Sequence, residues 1–393
     1  MTHNSKPSTQ KPQIYLDHAA TTPLAPEVLM SMLPYLKSEF GNPGSIHARG
    51  QTAKNATETA RETIAKILHC EPREIIFTSG GSESDNLALR GILKPGDHLI
   101  ISEIEHPAIL RTAEILEANG IELTKIPVDP NGILRVEKVV RALRKNTKLI
   151  SIMLANNEIG TLQPIRELGK FLQKNRPEIL LHTDAVQAGG ILELDIRHLK
   201  VDLLSLSAHK FYGPKGVGVL FAKKGIKLVP QVSGGHQENG VRAGTENVAG
   251  IVGAAAALES AEQKRGKEFL RLEKLRDYFV AKVLREIPQT RLNGDPKDRL
   301  PGNANFSFFG IEGESILLRL DFAGIAASTG SACSSASLEP SHVLRALKIP
   351  HAWLHGSIRF SLGKSTSRQE LNHVVSELKK IVSDLRELSP LFE

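Results

Sequence analysis

A regular alternation of short apolar runs with amphipathic stretches restricts the fold of this chain more than any other feature. The apolar runs cover residues 75–78, 98–102, 121–127, 149–154, 179–183, 201–207 and 217–222. Runs of this length favour buried strands, and the stretches between the first six have the length of crossover helices. The alternation therefore predicts an α/β fold with a mostly parallel, seven-stranded sheet between two layers of helices.

The pattern changes after Gly250, which indicates a second structural unit. A highly charged stretch over residues 262–285 has the composition of a helix that bridges two domains. Shorter strands at 303–309 and 357–362 and a helix at 313–320 follow it. A last helix begins after Ser367 and carries its apolar residues on one face.

Chain length supports a division into two domains. With 393 residues, the chain exceeds the size at which one hydrophobic core stops growing. We predict a large domain over residues 21–262 and a smaller α+β domain formed by residues 14–20 and 263–393. Residues 1–13 are polar, contain two prolines, and are expected to form a disordered lead.

Composition argues against several classes of protein. Only Cys70 and Cys333 occur, which excludes a disulfide framework and a four-thiolate zinc site. The formal charge of +7 comes without a dense run of Lys and Arg, and aromatic residues make up 5%, so we expect no nucleic-acid partner. The apolar stretch 249–258 is too short to cross a bilayer, so we expect no membrane partner. Because no targeting segment is visible, we expect a cytoplasmic protein.

The segment 77–86 predicts an anion site at a helix N-terminus. A predicted strand ends there, Gly80 and Gly81 permit a tight turn, and Ser82 opens a helix. The free N–H groups and the helix dipole at such a turn attract anions. The spacing matches neither a P-loop nor a dinucleotide fingerprint. An ordinary capped helix would explain the same residues.

The segment 206–214 places a lysine directly after a predicted strand. Partial desolvation at a strand end would lower the pKa of Lys210 and leave a neutral amine that can form a Schiff base. Most lysines are solvated surface groups, which is the alternative here. Ser207 and His209 flank the lysine and both can donate to a phosphate group, which favours a cofactor site.

Asp184 directly follows the predicted strand 179–183, at the side of an open α/β sheet where ligands bind. A carboxylate at this place can hold the protonated ring nitrogen of a cofactor. It can equally serve as a helix N-cap.

Cys333 lies in a stretch of Gly, Ser and Ala residues, whereas Cys70 has apolar neighbours of the kind that structural cysteines prefer. An exposed, flexible thiol can approach a substrate, and a nearby cation would raise its thiolate fraction. An incidental thiol is the alternative.

Taken together and in this order, the four segments resemble the cysteine desulfurases of the NifS/IscS type. These are fold-type-I pyridoxal phosphate (PLP) enzymes of the class-V aminotransferase family. The resemblance extends over residues 14–392 and includes five supporting segments, at residues 15–23, 40–43, 156–160, 242–245 and 357–363. Each segment is weak evidence by itself, but their joint order is specific.

The resemblance implies a role for each of the following residues. Lys210 would carry PLP as a Schiff base, Asp184 would pair with the ring nitrogen, and Gln187 would reach the phenolate oxygen of the ring. His106 would stack on the ring and belong to the catalytic residues; a helix-capping or core histidine is the alternative.

Further implied residues bind the phosphate and the substrate. The phosphate would be held by Gly81, Ser82, Ser207 and His209, and by Thr245 from the second subunit of a homodimer. Arg359 and Asn157 would bind the substrate carboxylate, Arg359 as a bidentate fork, and Asn157 would also contact the cofactor. A surface ion pair is the alternative for Arg359.

The activity implied by the resemblance is the conversion of L-cysteine to L-alanine, with the sulfur left on Cys333 as a persulfide. The persulfide would pass to an iron–sulfur scaffold or another sulfur-acceptor protein, and Cys333 is a candidate transient ligand of an iron–sulfur cluster. Two alternatives use other chemistry: a selenocysteine lyase, or another PLP-dependent lyase or aminotransferase without a thiol. A non-enzymatic sulfur-carrier or scaffold-binding protein is a third, although it would not need Lys210.

Overall fold

The computed structural model describes residues 13–330 and 340–389. The strands are β1 Ile14–Tyr15, β2 Ile75–Thr78, β3 His98–Ser102, β4 Glu122–Ile126, β5 Thr147–Ser151, β6 Leu180–Asp184, β7 Leu203–Ser207, β8 Gly218–Ala222, β9 Thr290–Asn293, β10 Asn303–Phe308, β11 Ile325–Ala326 and β12 Ser357–Ser361. The helices are α1 Pro26–Lys37, α2 Ala48–Leu68, α3 Gly81–Arg90, α4 Pro107–Ala118, α5 Val136–Arg141, α6 Ile165–Asn175, α7 Ile196–Leu199, α8 Val248–Glu286, α9 Gly313–Phe322, α10 His342–Ala346, α11 His351–Leu354 and α12 Arg368–Glu387.

The main sheet has seven strands in the order β2-β8-β7-β6-β5-β3-β4. Strand β8 pairs antiparallel with both β2 and β7, and the remaining pairs are parallel. The predicted mostly parallel, seven-stranded sheet is confirmed. The central strands are buried along their whole length because helices cover both faces, which is why they appear in the sequence as continuous apolar runs.

Alternate residues of each strand pack against two different helix layers. On β3, Leu99 and Ile101 belong to the apolar cluster that includes Leu87 of α3. Ile100, between them, belongs to the cluster that includes Ile64 of α2. Successive side chains of a strand point to opposite faces, so one apolar run supplies both layers.

The chain after the main sheet forms a second core. An antiparallel sheet, β12-β10-β9, and the parallel pair β1-β11 pack with α9 and α12. Phe279 of α8 makes an edge contact with Phe360 of β12 at a centroid distance of 5.2 Å. Ile14 lies in this same cluster. The domain boundaries given above stay a prediction.

Helix α8 differs in extent from the sequence interpretation. The sequence suggested a closely packed helix at 249–258 and a charged one at 262–285. The structure shows a single helix of 39 residues. Its first half packs Ala and Gly residues against α1 and α2, and its second half carries Leu272 and Phe279 into the other core.

Within residues 13–330 and 340–389, none of the helices combines the length and the apolarity that a membrane crossing requires.

Candidate active site

The carboxyl ends of several strands bring the predicted segments together at one edge of the sheet. Strand β2 leads into Gly81, β6 ends at Asp184, and β7 leads to Lys210 through a 3₁₀ turn. Parallel strands end on the same side, which makes this edge the expected ligand site of an open α/β sheet. His106, which follows β3, interacts electrostatically with both Asp184 and Lys210.

The amine of Lys210 points at the backbone of the N-terminal segment. Its Nζ donates hydrogen bonds to the carbonyl oxygens of Ala19 and Ala20, both at 2.7 Å. Gln187 donates from Nε2 to the same Ala19 oxygen at 3.0 Å. Two side chains predicted to contact the cofactor are thus held by one backbone segment.

Asp184 is a buried carboxylate at the end of β6, with 6% of its surface exposed. Its Oδ1 accepts a hydrogen bond from the backbone N–H of Val186 at 2.9 Å. Burial raises the pKa of this carboxyl, whereas His106 and Lys210 lower it. A further positive charge beside Asp184, such as a protonated ring nitrogen, would stabilise the ionised form.

His106 is the N-cap of α4, so the capping role considered from the sequence is present. Its Nδ1 accepts a hydrogen bond from the N–H of Ala108 at 3.1 Å. This contact fixes the ring, and the proton of the neutral imidazole is assigned to Nε2. Burial lowers the pKa of His106. His106 can therefore cap helix α4 and place its ring beside Asp184 at the same time.

The N-terminus of α3 has the features of an anion cradle. Gly80 is its N-cap and supplies no capping side chain. A Cβ added to Gly81 would lie 2.6 Å from Val186 Cγ2 and 3.5 Å from Ser207 Cβ, so only glycine permits this close approach. Ser82 is exposed beside it, and Ser207 is buried on the opposite side. Free N–H groups at such a place favour a phosphate.

His209 and Thr245 complete the set of predicted phosphate ligands. The Nδ1 atom of His209 lies 3.1 Å from Oγ1 of Thr21, in the N-terminal segment. Thr245 is exposed in the segment before α8. Its predicted role in a second subunit stays a prediction.

Arg359 of β12 is buried, with 2% of its surface exposed. Its Nη1 donates to the carbonyl oxygen of Asn157 at 2.8 Å, and its Nη2 donates to Asp17 Oδ1 at 2.7 Å. Its Nε has no hydrogen-bond partner within the described ranges. Arg359 and Asn157 are thus neighbours, through the backbone of Asn157. In this ion pair Arg359 is buried and Asp17 is partly exposed, so it is not the surface pair considered from the sequence.

Sequence reasoning missed the contribution of residues 17–20. This segment supplies the carbonyl groups that hold Lys210 and the carboxylate that holds Arg359. Residues 17–20 lie within the supporting segment 15–23, so the sequence did indicate that they matter, but it assigned them no role.

A cavity of about 100 Å³ adjoins this segment. It lies between the N-terminal segment, α8 and the second core, and His18, Lys210, Tyr212 and Leu272 contribute to its wall. Neither ring nitrogen of His18 has a hydrogen-bond partner in the described part of the chain. Burial lowers the pKa of His18 to about 4, so the ring is neutral.

Cys333 lies outside the described residues, but the chain on both sides of it is described. Gly330 packs against Glu158, and Ser341 donates its hydroxyl to Glu158 Oε2 at 2.5 Å. Just before Gly330, Ser328 pairs with Arg359 through the backbone. The segment that carries Cys333 therefore starts and ends beside the candidate substrate site.

Cys70, the other cysteine, is partly buried far from this edge of the sheet. Burial raises the pKa of its thiol to about 12, so the thiolate is not formed at neutral pH. Over the ranges that the structure describes, no group of three or more His, Cys, Asp or Glu residues is arranged to hold a metal ion.

The chain is similar to proteins of known family. The class-V aminotransferase model matches residues 14–374. Cysteine desulfurase IscS of Dictyoglomus turgidum is 52% identical over 384 residues, which is 97% of each chain. Cysteine desulfurase NifS of Azotobacter vinelandii is 44% identical over 381 residues, covering 96% of this chain and 94% of that protein.

Solved structures give the same result. A NifS-like protein superposes with a TM-score of 0.89 at 36% identity, covering 95% of this chain and 100% of that one. SspA in complex with cysteine has a TM-score of 0.77 at 36% identity, covering 89% of this chain and 98% of that one.

Proposed function

The chain belongs to the class-V aminotransferase family, and we propose on that premise that it is a cysteine desulfurase. It would take the sulfur atom from L-cysteine with PLP as cofactor and release L-alanine. The observation that supports this most strongly is the meeting of Lys210, His106 and Asp184 at one sheet edge, where each influences the charge of another.

The residues at the site fit PLP. The Gly81 cradle and buried Ser207 suit its phosphate, and Asp184 suits its protonated ring nitrogen. The Lys210 amine lies at the same sheet edge and is the group that would bind the cofactor covalently. When bound, PLP serves as an electron sink that stabilises negative charge at the Cα atom of an attached amino acid.

Asp184 would keep the proton on the ring nitrogen because a desolvated carboxylate is stabilised by a positive charge beside it. Its Oδ1 accepts a hydrogen bond from the backbone N–H of Val186, which fixes its orientation. Lys210, once released by the substrate, would accept the Cα proton. The carbonyl oxygens of Ala19 and Ala20 would hold its amine in place. His106 would pack against the ring, fixed in orientation by its bond to Ala108.

Arg359 would bind the substrate carboxylate. Its guanidinium is already oriented by Asn157 and Asp17, and its Nε is left as a donor. A buried guanidinium offers a charge-assisted, directional contact that is stronger than one in water. This contact would select an α-amino acid and fix it relative to Lys210.

Cys333 would accept the sulfur. Its thiolate would attack the sulfur of the bound cysteine, so that an S–S bond forms and the Cβ–S bond breaks. The electron pair of the broken bond stays with the amino acid, which is protonated and released as L-alanine. The persulfide on Cys333 would then pass to a thiol acceptor protein, such as an iron–sulfur scaffold.

The protein would act as a homodimer in the cytoplasm. Large apolar side chains lie exposed on and after α1, among them Met30, Phe40 and Ile46, which is 95% exposed. Exposed apolar side chains such as these would be covered in a dimer. In the dimer, Thr245 would reach the phosphate of the second subunit.

The proposal is tested by adding L-cysteine and a reductant to the purified, PLP-loaded protein. We expect sulfide and L-alanine in equal amounts. Absence of both products would overturn the proposal. Turnover by Cys333→Ala at the wild-type rate would instead indicate a lyase that needs no thiol.

A further inference from the structure

A group of buried polar residues lies behind Asp184, and the mechanism above does not use it. Its members come from four neighbouring elements: Asp85 from α3, Ser151 from β5, His182 from β6 and Ser205 from β7. Each of them is at most 1% exposed. His182 and Asp184 are two residues apart on β6, so their side chains lie on the same face of the sheet.

The contacts in this group form a chain centred on His182. Its Nδ1 lies 2.8 Å from Ser151 Oγ, and its Nε2 lies 3.0 Å from Ser205 Oγ. The Oδ1 atom of Asp85 is 3.7 Å from the same Nε2. That oxygen has no hydrogen-bond partner within residues 13–330 and 340–389. An unsatisfied, fully buried carboxylate oxygen is costly, whereas a protonated one is far less so.

Several acidic groups share this interior, and they cannot all be ionised. Burial and the neighbouring Asp184 raise the pKa of Asp85 well above its ordinary value, Glu105 raises it further, and only Ser205 opposes them. Asp184, by contrast, has His106 and Lys210 beside it, and both lower its pKa. Burial raises the pKa of Asp184 as well, but the two cations beside Asp184 and the unpartnered oxygen of Asp85 favour the proton on Asp85 and the negative charge on Asp184.

His182 agrees with a neutral Asp85. Burial lowers the pKa of His182 to about 3, so its ring is uncharged. An ionised carboxylate 3.7 Å from the ring would favour the imidazolium form instead. The interior behind the sheet edge thus contains two neutral partners, Asp85 and His182.

We propose that Asp85 is a positioning residue of the cofactor site, an uncharged acid that leaves Asp184 as the anion facing the ring nitrogen of the cofactor. This inference rests on the proposed function, because it concerns the same PLP site. Asp85 does not touch the cofactor; it acts through His182, Ser205 and the charge of Asp184.

The charge of Asp85 sets the tautomer of His182, which makes the proposal measurable. Ser205 Oγ, 3.0 Å from Nε2, connects the two groups. Beside a neutral Asp85 the Ser205 hydroxyl donates to Nε2, so the ring proton is on Nδ1 and is donated to Ser151; an ionised Asp85 would instead accept the Ser205 proton. An ionised Asp85 would attract a proton to Nε2, and Nδ1 would accept from Ser151. The two arrangements give different ¹⁵N chemical shifts for the ring nitrogens.

The test is ¹⁵N NMR of histidine-labelled protein, with and without PLP, and His182 assigned through His182→Asn. We expect the Nδ1–H tautomer from about pH 6 to 9. A proton on Nε2, or a doubly protonated ring, would overturn the proposal. A wild-type protein that binds no PLP would refute the proposed function, whereas the tautomer in the cofactor-free protein would still decide the charge of Asp85.

Two variants at one position separate positioning from folding. Asp85→Asn keeps a neutral donor of the same shape, and we expect it to retain the Nδ1–H tautomer. Asp85→Leu removes the donor, and we expect PLP to bind about tenfold more weakly than in Asp85→Asn. Equal PLP affinity in the two variants would contradict a positioning role. A visible-absorbance pH titration of bound PLP that moves by about one unit in Asp85→Asn would show that Asp85 is normally charged.

Discussion

Lys210 and Ala19 are joined by a hydrogen bond of 2.7 Å between the lysine Nζ and the backbone carbonyl oxygen. Ala19 is in turn bonded through its N–H to Ser361 Oγ of β12 at 2.9 Å. The candidate cofactor lysine is thus connected, through one residue of the N-terminal segment, to the sheet that carries Arg359. This connection fixes the position of the Lys210 amine, the candidate cofactor-binding group, relative to the Arg359 guanidinium, the candidate carboxylate-binding group.

Replacing Lys210 by Arg is expected to abolish covalent attachment of PLP, because a guanidinium stays protonated and is not a nucleophile. Borohydride reduction followed by peptide mass spectrometry measures the adduct. The exposed neighbour Lys215, changed to Arg, should leave the adduct intact. An adduct at a lysine other than 210 in the wild-type protein would contradict the assignment.

Cys333→Ser is expected to keep the absorbance of bound PLP and to lose sulfide release and persulfide formation, because serine cannot accept sulfur. Cys70→Ser is the matched control. With a thiol pKa of about 12, Cys70 is not a nucleophile at neutral pH, so its variant should retain full activity. Peptide mass spectrometry after one turnover should find the extra sulfur on residue 333 alone.

Arg359→Lys is expected to raise KM for L-cysteine by about 10- to 100-fold, since lysine keeps the charge but loses the planar fork. Steady-state kinetics measures the effect. Arg319→Lys serves as the control because Arg319 forms a partly exposed pair with Asp384 on another surface. An unchanged KM in Arg359→Lys would show that Arg359 does not bind the substrate carboxylate.

Glu105 should make the folded protein less stable as the pH rises. Burial raises the pKa of Glu105 to about 8 in the folded protein, while the carboxyl of an unfolded chain has a pKa of about 4.3. Between these values the folded state keeps a proton that the unfolded state has released, so the free energy of unfolding falls as the pH rises from about 4.5 to 8.

Glu105→Gln is expected to flatten this dependence, which urea unfolding at several pH values would measure. The exposed Glu62, changed to Gln, should leave the slope as in the wild type. The same slope in Glu105→Gln would mean that Glu105 is ionised when folded.

Glu238→Gln is expected to destabilise the protein by about 3 kcal/mol, because it leaves a buried guanidinium without its charge partner. Glu238 accepts two hydrogen bonds of 2.8 Å from Arg61 and a third from the N–H of Phe77. Glu114→Gln, in an exposed ion pair with Arg111, should cost less than about 0.5 kcal/mol. Equal melting temperatures for the two variants would contradict the predicted contribution of the buried Arg61–Glu238 pair to stability.

The sequence alone was sufficient for the strand positions, the parallel sheet and the strand-end location of Asp184 and Lys210. These features depend on local patterns, namely apolar runs of strand length and the residues that directly follow them. The order of the four motifs was also enough to identify the family. The predicted role of Cys333 falls on a residue outside the described ranges and stays a prediction.

Only the tertiary structure decided which distant groups meet. Asp17 and Arg359 are 342 positions apart, and the contact between them leaves no periodic trace in the sequence. The same holds for Asp85 and His182, whose charges depend on burial and on each other rather than on their own neighbours in the chain. The pKa of a group depends on its surroundings in space. The residue types therefore predicted which acids and bases the site contains, whereas packing determined which of the acids is charged.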